Sequence, residues 1–162
     1  MTKILLILHV LAAVIAVGPV TAAGSMFPAA ARKAAGAPGS AEAVAPVRLL
    51  HRICRVYAVV GLAIPVFGFA TASSLHVLGS PWLIVSIVLT SIAAFVLALL
   101  VLPAQAAVLA SLADSNSGAV PAAVRPRRAQ TQRLAALTGI FNLLWATVTV
   151  LMIVRPGSTT GV

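Results

Sequence analysis

Four stretches of nearly uncharged, apolar sequence, at residues 4–26, 56–72, 82–102 and 134–154, leave this chain little choice of fold. A membrane's hydrocarbon core needs about 20 residues of helix to cross it. The second stretch is short, but Leu49 and Leu50 let its helix continue below the apolar run. Composition points the same way: 61% of the 162 residues are hydrophobic and 8% are charged, against roughly 25% charged in soluble domains. Mean hydropathy is +1.12. The sequence therefore predicts an all-α integral membrane four-helix bundle built as two helical hairpins, a multi-pass protein of the cell membrane. The longest connection, 103–133, is rich in Ala, Ser, Gly and Pro and holds no second core, so residues 1–162 read as one transmembrane domain.

Lys3, the apolar run and "TAAGS" imitate the three regions of a signal peptide. Arg32 and Lys33 follow the segment, however, and fit a retained helix with a cytoplasmic connection. Basic residues are kept on the cytoplasmic side of a membrane. The first connection and its flanks hold Arg32, Lys33, Arg48, Arg52 and Arg55, and the third holds Arg125, Arg127, Arg128 and Arg133. Lys3 and Arg155 alone mark the other side. Both termini are thus expected outside, with Trp82 at the outer interface.

Other function classes fall away on the same charges. A pI of 11.9 suits a nucleic-acid binder only when basic residues share one exposed surface with polar and aromatic neighbours. Here they bracket apolar segments, so no nucleic-acid partner is expected. Arg48, His51, Arg52 and Arg55 do recur at helical spacing, a basic stripe suited to anionic lipid headgroups or another anion at the cytoplasmic face. Ion pathways place ionisable residues at membrane depth, and no Asp, Glu or Lys occupies the apolar part of any segment. Glu42 and Asp114 sit in separate connections and form no catalytic pair. Cys54 has no disulfide partner in the chain and reads as a small apolar filler; Asn142 reads as interhelical glue. "FPAAA" and "LPAQAA" each begin a cytoplasmic connection, a weak echo between the two hairpins.

His9 is the one imidazole within the apolar depth, roughly 10 Å inside the outer boundary at helical rise. His51, at the foot of the second helix, is roughly 30 Å away, and His76 in the outer connection is the only histidine on the same side. Ala12, Ala13 and Ala16 lie three, four and seven residues beyond His9. Such small residues admit a close helix or leave a slot for a flat ligand. Ser86, Thr90 and Thr147 are at matching depth. An interhelical hydrogen bond, ligation of heme or a metal ion, and exposure to water or a partner protein are the three readings open to His9.

The run from His9 through small residues to "MFPAAARKA", with "LLHRICRVYAVVGLAIPVFGFATA" and "SPWLIVSIVLTS", resembles the first three helices of the CopD and HemJ-type superfamily. The likeness covers about the first hundred residues and points to one of its uncharacterised four-helix branches. It implies that His9 binds heme b. The partner in HemJ-type proteins is a lysine shortly after the tryptophan that opens the third helix; Ser86 stands there, which leaves the second axial place to His76, another group or water. CopD-like copper handling lacks a spaced methionine cluster. Two functions follow as expectations: a small membrane protein that holds heme b or a metal through His9 for electron transfer or heme handling, or a non-catalytic accessory subunit packed against a larger membrane complex or a second copy.

Cysteines introduced at Ser40 and Ser117 are expected to react only from the cytoplasm, and one at Ser80 from outside. Labelling of position 40 from outside intact cells would reverse the orientation and move His9 to the cytoplasmic leaflet.

Overall fold

The computed structural model describes residues 2–116 and 128–157. Ser117, Arg125 and Arg127 lie outside the described residues. The elements are α1 (Thr2–Ala35), α2 (Ala41–Val60), α3 (Ala63–Ser74), α4 (Pro81–Phe95), a π-helical stretch (Val96–Val101), α5 (Leu102–Asn116) and α6 (Arg128–Val154). There is no strand among the described residues. Four helical legs, Thr2–Ala35, Ala41–Ser74, Pro81–Asp114 and Arg128–Val154, are long and apolar enough to cross a membrane. Only helices and closed barrels pair every backbone N–H and C=O inside hydrocarbon, so the expected all-α four-helix class is what this composition permits.

The legs outrun the apolar stretches. Three of them have 34 residues, roughly 50 Å of helix against a hydrocarbon core of about 30 Å. "FPAAA" and "LPAQAA" are helical, so neither begins a connection as the sequence suggested. The cause is local and tertiary together: alanine is the best helix former, and Ala31 and Ala34 are buried in the bundle. Packing thus carries α1 past Pro28. Proline leaves its mark on the other two long legs. Pro65 lacks an N–H for the Gly61 carbonyl; that carbonyl takes the Ile64 amide at 3.0 Å instead, and the tightened turn separates α2 from α3. Pro103 likewise deprives Leu99, and the preceding turn widens until the Leu102 amide bonds Leu97.

The two ends of the bundle differ in packing. At the end that carries the arginines, Phe27, Val47, Val101 and Leu134 are sealed among α1, α2, α5 and α6. Part of this region projects beyond hydrocarbon thickness. There, burying each Val, Leu or Phe from water contributes about 1.5–3 kcal/mol. At the opposite end α3 packs on α1 and α4 on α6. Large apolar side chains such as Leu62, Val66 and Leu143 are exposed, a lipid-facing surface.

The α1–α6 crossing is close. A Cβ built on Gly24 would stand 3.1 Å from Thr138 Cγ2, and one residue on, Asn142 Nδ2 donates to Ser25 Oγ at 3.2 Å. Asn142 thus makes the interhelical bond expected of it. Gly24→Leu is expected to destabilise the bundle by about 1–3 kcal/mol through overpacking, read as a lowered thermal midpoint in detergent. An unchanged midpoint would mean that the two helices do not meet there.

Candidate ligand cavity around His9

Between the two helix pairs of the loosely packed end lies an apolar cavity of about 130 Å³. Its walls come from α1 (Leu6, His9), α3 (notably Ile64, Gly68 and Phe69), α4 (Trp82, Leu83, Ile87, Thr90) and the end of α6 (Met152, Arg155). A second cavity of about 160 Å³ lies toward the other end, and Ile64, Pro65, Thr90 and Ser91 wall both. Its own walls include Tyr57, Phe141 and Trp145.

His9 reaches the first cavity from the face of α1 that meets α3. Its Nδ1 lies 3.0 Å from the Ile64 carbonyl oxygen. A carbonyl only accepts, so Nδ1 carries the hydrogen and donates; in the neutral ring Nε2 is then left with its lone pair. The approach needs a residue without a side chain opposite: a Cβ on Gly68 would stand 2.9 Å from His9 Cε1 and 3.2 Å from Nδ1. The interhelical hydrogen bond, one of the three readings open to His9, is therefore made, but to backbone and not to Ser86, Thr90 or Thr147. Sequence spacing pointed to hydroxyls at matching depth. The acceptor is invisible there, because any residue has a carbonyl.

The other candidate residues scatter. Ala16 is buried and lines the second cavity, whereas Ala12 and Ala13 are half-buried and line neither. The small residue against the imidazole is Gly68. Ser86 is fully buried, and its hydroxyl donates to the Trp82 carbonyl at 2.8 Å within α4; it is not a wall of the first cavity. His76 is exposed in the turn after α3, with φ 56, and does not line the cavity. The structure thus brings His9 to the site without His76 or Ser86.

The basic stripe also divides. Arg48, Arg52 and Arg55 are exposed, but His51 turns inward and donates from Nδ1 to Gln105 Oε1 at 3.1 Å. Gln105 is fully buried and places its Nε2 3.6 Å from Cys54 Sγ, which in turn lies 3.9 Å from the Val20 carbonyl. Cys54 is therefore more than an apolar filler: it closes a polar chain joining α5, α2 and α1. A stripe read at i, i+3, i+4, i+7 spans a wide arc, and His51 falls on its inward edge. Among the described residues no group of three or more metal-ligating side chains gathers.

Three cavity residues carry no sequence signal of a site. Trp82 was expected at an interface; it is 7% exposed, and its Nε1 is buried with no partner among the described residues. Arg155 lays its guanidinium over the Trp82 ring, 5.6 Å from the centroid. Gly68 is one glycine among 11.

A family model described as "Predicted integral membrane protein (DUF2269)" matches residues 3–156. No curated protein and no solved structure matches.

The fit of His9 against Gly68 is open to a double-mutant cycle. Gly68→Ala is expected to cost about 1–3 kcal/mol of stability by displacing the imidazole, and less than about 0.5 kcal/mol when His9 is already alanine. Equal costs in both backgrounds would show that the two residues do not touch.

Proposed function

The chain belongs to this family of predicted integral membrane proteins, and from that premise we propose that it binds heme b at the cavity beside α3, where His9 would hold the iron, for electron transfer or heme handling. The observation that carries the reading is the 3.0 Å bond from His9 Nδ1 to the Ile64 carbonyl on the wall of a mainly apolar cavity. Metal-ligating histidines characteristically donate their other ring N–H to a carbonyl or carboxylate, which fixes tautomer and ring orientation. An imidazole with a proximal role in heme proteins is of this kind. The likeness of the first three helices to HemJ-type proteins supports the same residue.

The donor set fits the group in chemistry, and a cavity of about 130 Å³ would take one edge of the porphyrin, the rest of the ring lying outside it. His9 supplies one imidazole nitrogen, and the walls supply apolar contact. When bound, heme b supplies one-electron redox chemistry or is itself the cargo. This chain's own residues orient the imidazole through Ile64, admit it through Gly68 and keep water out through Leu83, Ile87 and Phe69. Basic residues retained inside put Arg48, Arg52 and Arg55 at the cytoplasmic face, where they meet anionic headgroups, and put the cavity in the outer half of the membrane.

Protein purified from heme-supplemented cells is expected to show a Soret band. His9→Asn separates ligation from packing, because its amide keeps a donor near the Ile64 carbonyl and loses Nε2. The band should disappear in His9→Asn with thermal stability nearly retained. A colourless wild-type protein, or a band indifferent to His9→Asn, refutes the heme reading and leaves His9 as the tie between α1 and α3 in an accessory subunit.

A further inference from the structure

We propose that Arg155 reads an acidic group on whatever occupies the first cavity, so that the site selects acidic amphiphiles over neutral ones. The inference rests on the preceding reading only in taking that cavity as the ligand site. It does not depend on ligation by His9.

Among the described residues that wall the cavity, Arg155 is the one Lys or Arg, and none is acidic. Two contacts hold the guanidinium in place. Its Nε donates to the Met152 carbonyl at 3.3 Å, and its carbon stands 5.6 Å from the Trp82 ring centroid. Neither contact uses the terminal Nη atoms, and no bond to them is made among the described residues. Those atoms are the fork that binds a carboxylate or phosphate in bidentate fashion.

The backbone adds an independent observation. Arg155 ends α6 in the left-handed region, with φ 45, a conformation that suits glycine at a helix end. A long charged side chain at such a position is disfavoured on backbone grounds. The ring and the carbonyl hold it there, on the cavity wall. The cavity thus combines apolar walls with one pre-positioned cation. An amphiphile with an acidic group and an apolar body satisfies both, whereas a neutral apolar molecule leaves the guanidinium without a partner.

The test uses metal-free protoporphyrin, which has two carboxyl groups and no iron, and its dimethyl ester, which has the same ring and no charge. The full chain is placed in nanodiscs of neutral phosphatidylcholine, and binding is followed by quenching of tryptophan fluorescence. Wild-type protein is expected to bind the acid about tenfold or more tightly than the ester, the scale of a charge-assisted hydrogen bond. Arg155→Gln and Arg155→Gly should bring the affinities for acid and ester together. Arg155→Gly relieves the left-handed strain and guards against a folding artefact; Arg155→Lys should restore part of the preference. Equal affinity for acid and ester in the wild type, a preference that survives in Arg155→Gly, or no binding of either compound overturns the proposal. His9→Asn separates the two readings. A preference retained in that variant supports Arg155 even if the Soret band proves independent of His9, and a His9-dependent Soret band with no acid preference defeats the Arg155 proposal alone.

Discussion

The mismatch between helix length and membrane thickness governs this protein. Legs of 34 residues exceed a 30 Å core by roughly 20 Å, so one end of the bundle stands partly in water. Only there does the hydrophobic effect press helix against helix. Within hydrocarbon, lipid tails compete on equal terms with leucine, and association rests on packing and interhelical hydrogen bonds. Phe27, Val47 and Leu134 are sealed at the basic end, while one cavity lies at the other end and a second, sharing walls with it, lies toward the basic end. A tight foot thus holds a loosely packed head in register, and the head can leave space unfilled.

Polar chemistry inside the bundle is correspondingly sparse and specific. His9 to the Ile64 carbonyl ties α1 to α3; His51, Gln105 and Cys54 tie α2 to α5; Asn142 and Ser25 tie α6 to α1. Each tie crosses between different helices, and each is worth of order 1 kcal/mol in a membrane. They specify which helix meets which more than they stabilise the assembly. The His9 tie differs from the others in lying on the wall of the first cavity.

The fold was legible in the sequence because apolar length and charge placement act over twenty residues at a time. The ends of the helices were not. Pro28 and Pro103 look like terminators, and only the packing of Ala31, Ala34 and Val101 against neighbouring helices shows why they fail to terminate. Of the site, His9 was legible as the one imidazole at depth. Its partner was not, since a backbone carbonyl has no residue type. Gly68 was not, since a glycine needed for close approach looks like any other. Arg155 read as a topology signal, and nothing short of the fold places it against Trp82. His76 was a candidate by its side of the membrane and Ser86 by its depth and its place after Trp82, and none of these says which way a side chain turns.

The π-helical stretch Val96–Val101 bears on how the two ends communicate. A π turn holds about one residue more than an α turn, which advances every following side chain by roughly 100°. Residues on either side of it are therefore read in different phases. Trp82, Ile87 and Thr90 face the cavity on the phase set before the stretch, and Gln105 faces His51 and Cys54 on the phase set after it. The widened turn works as a phase shifter along one continuous helix: the face that lines the cavity and the face that locks the foot need not fall on the same heptad, so each is free to change its sequence without rotating the other out of place.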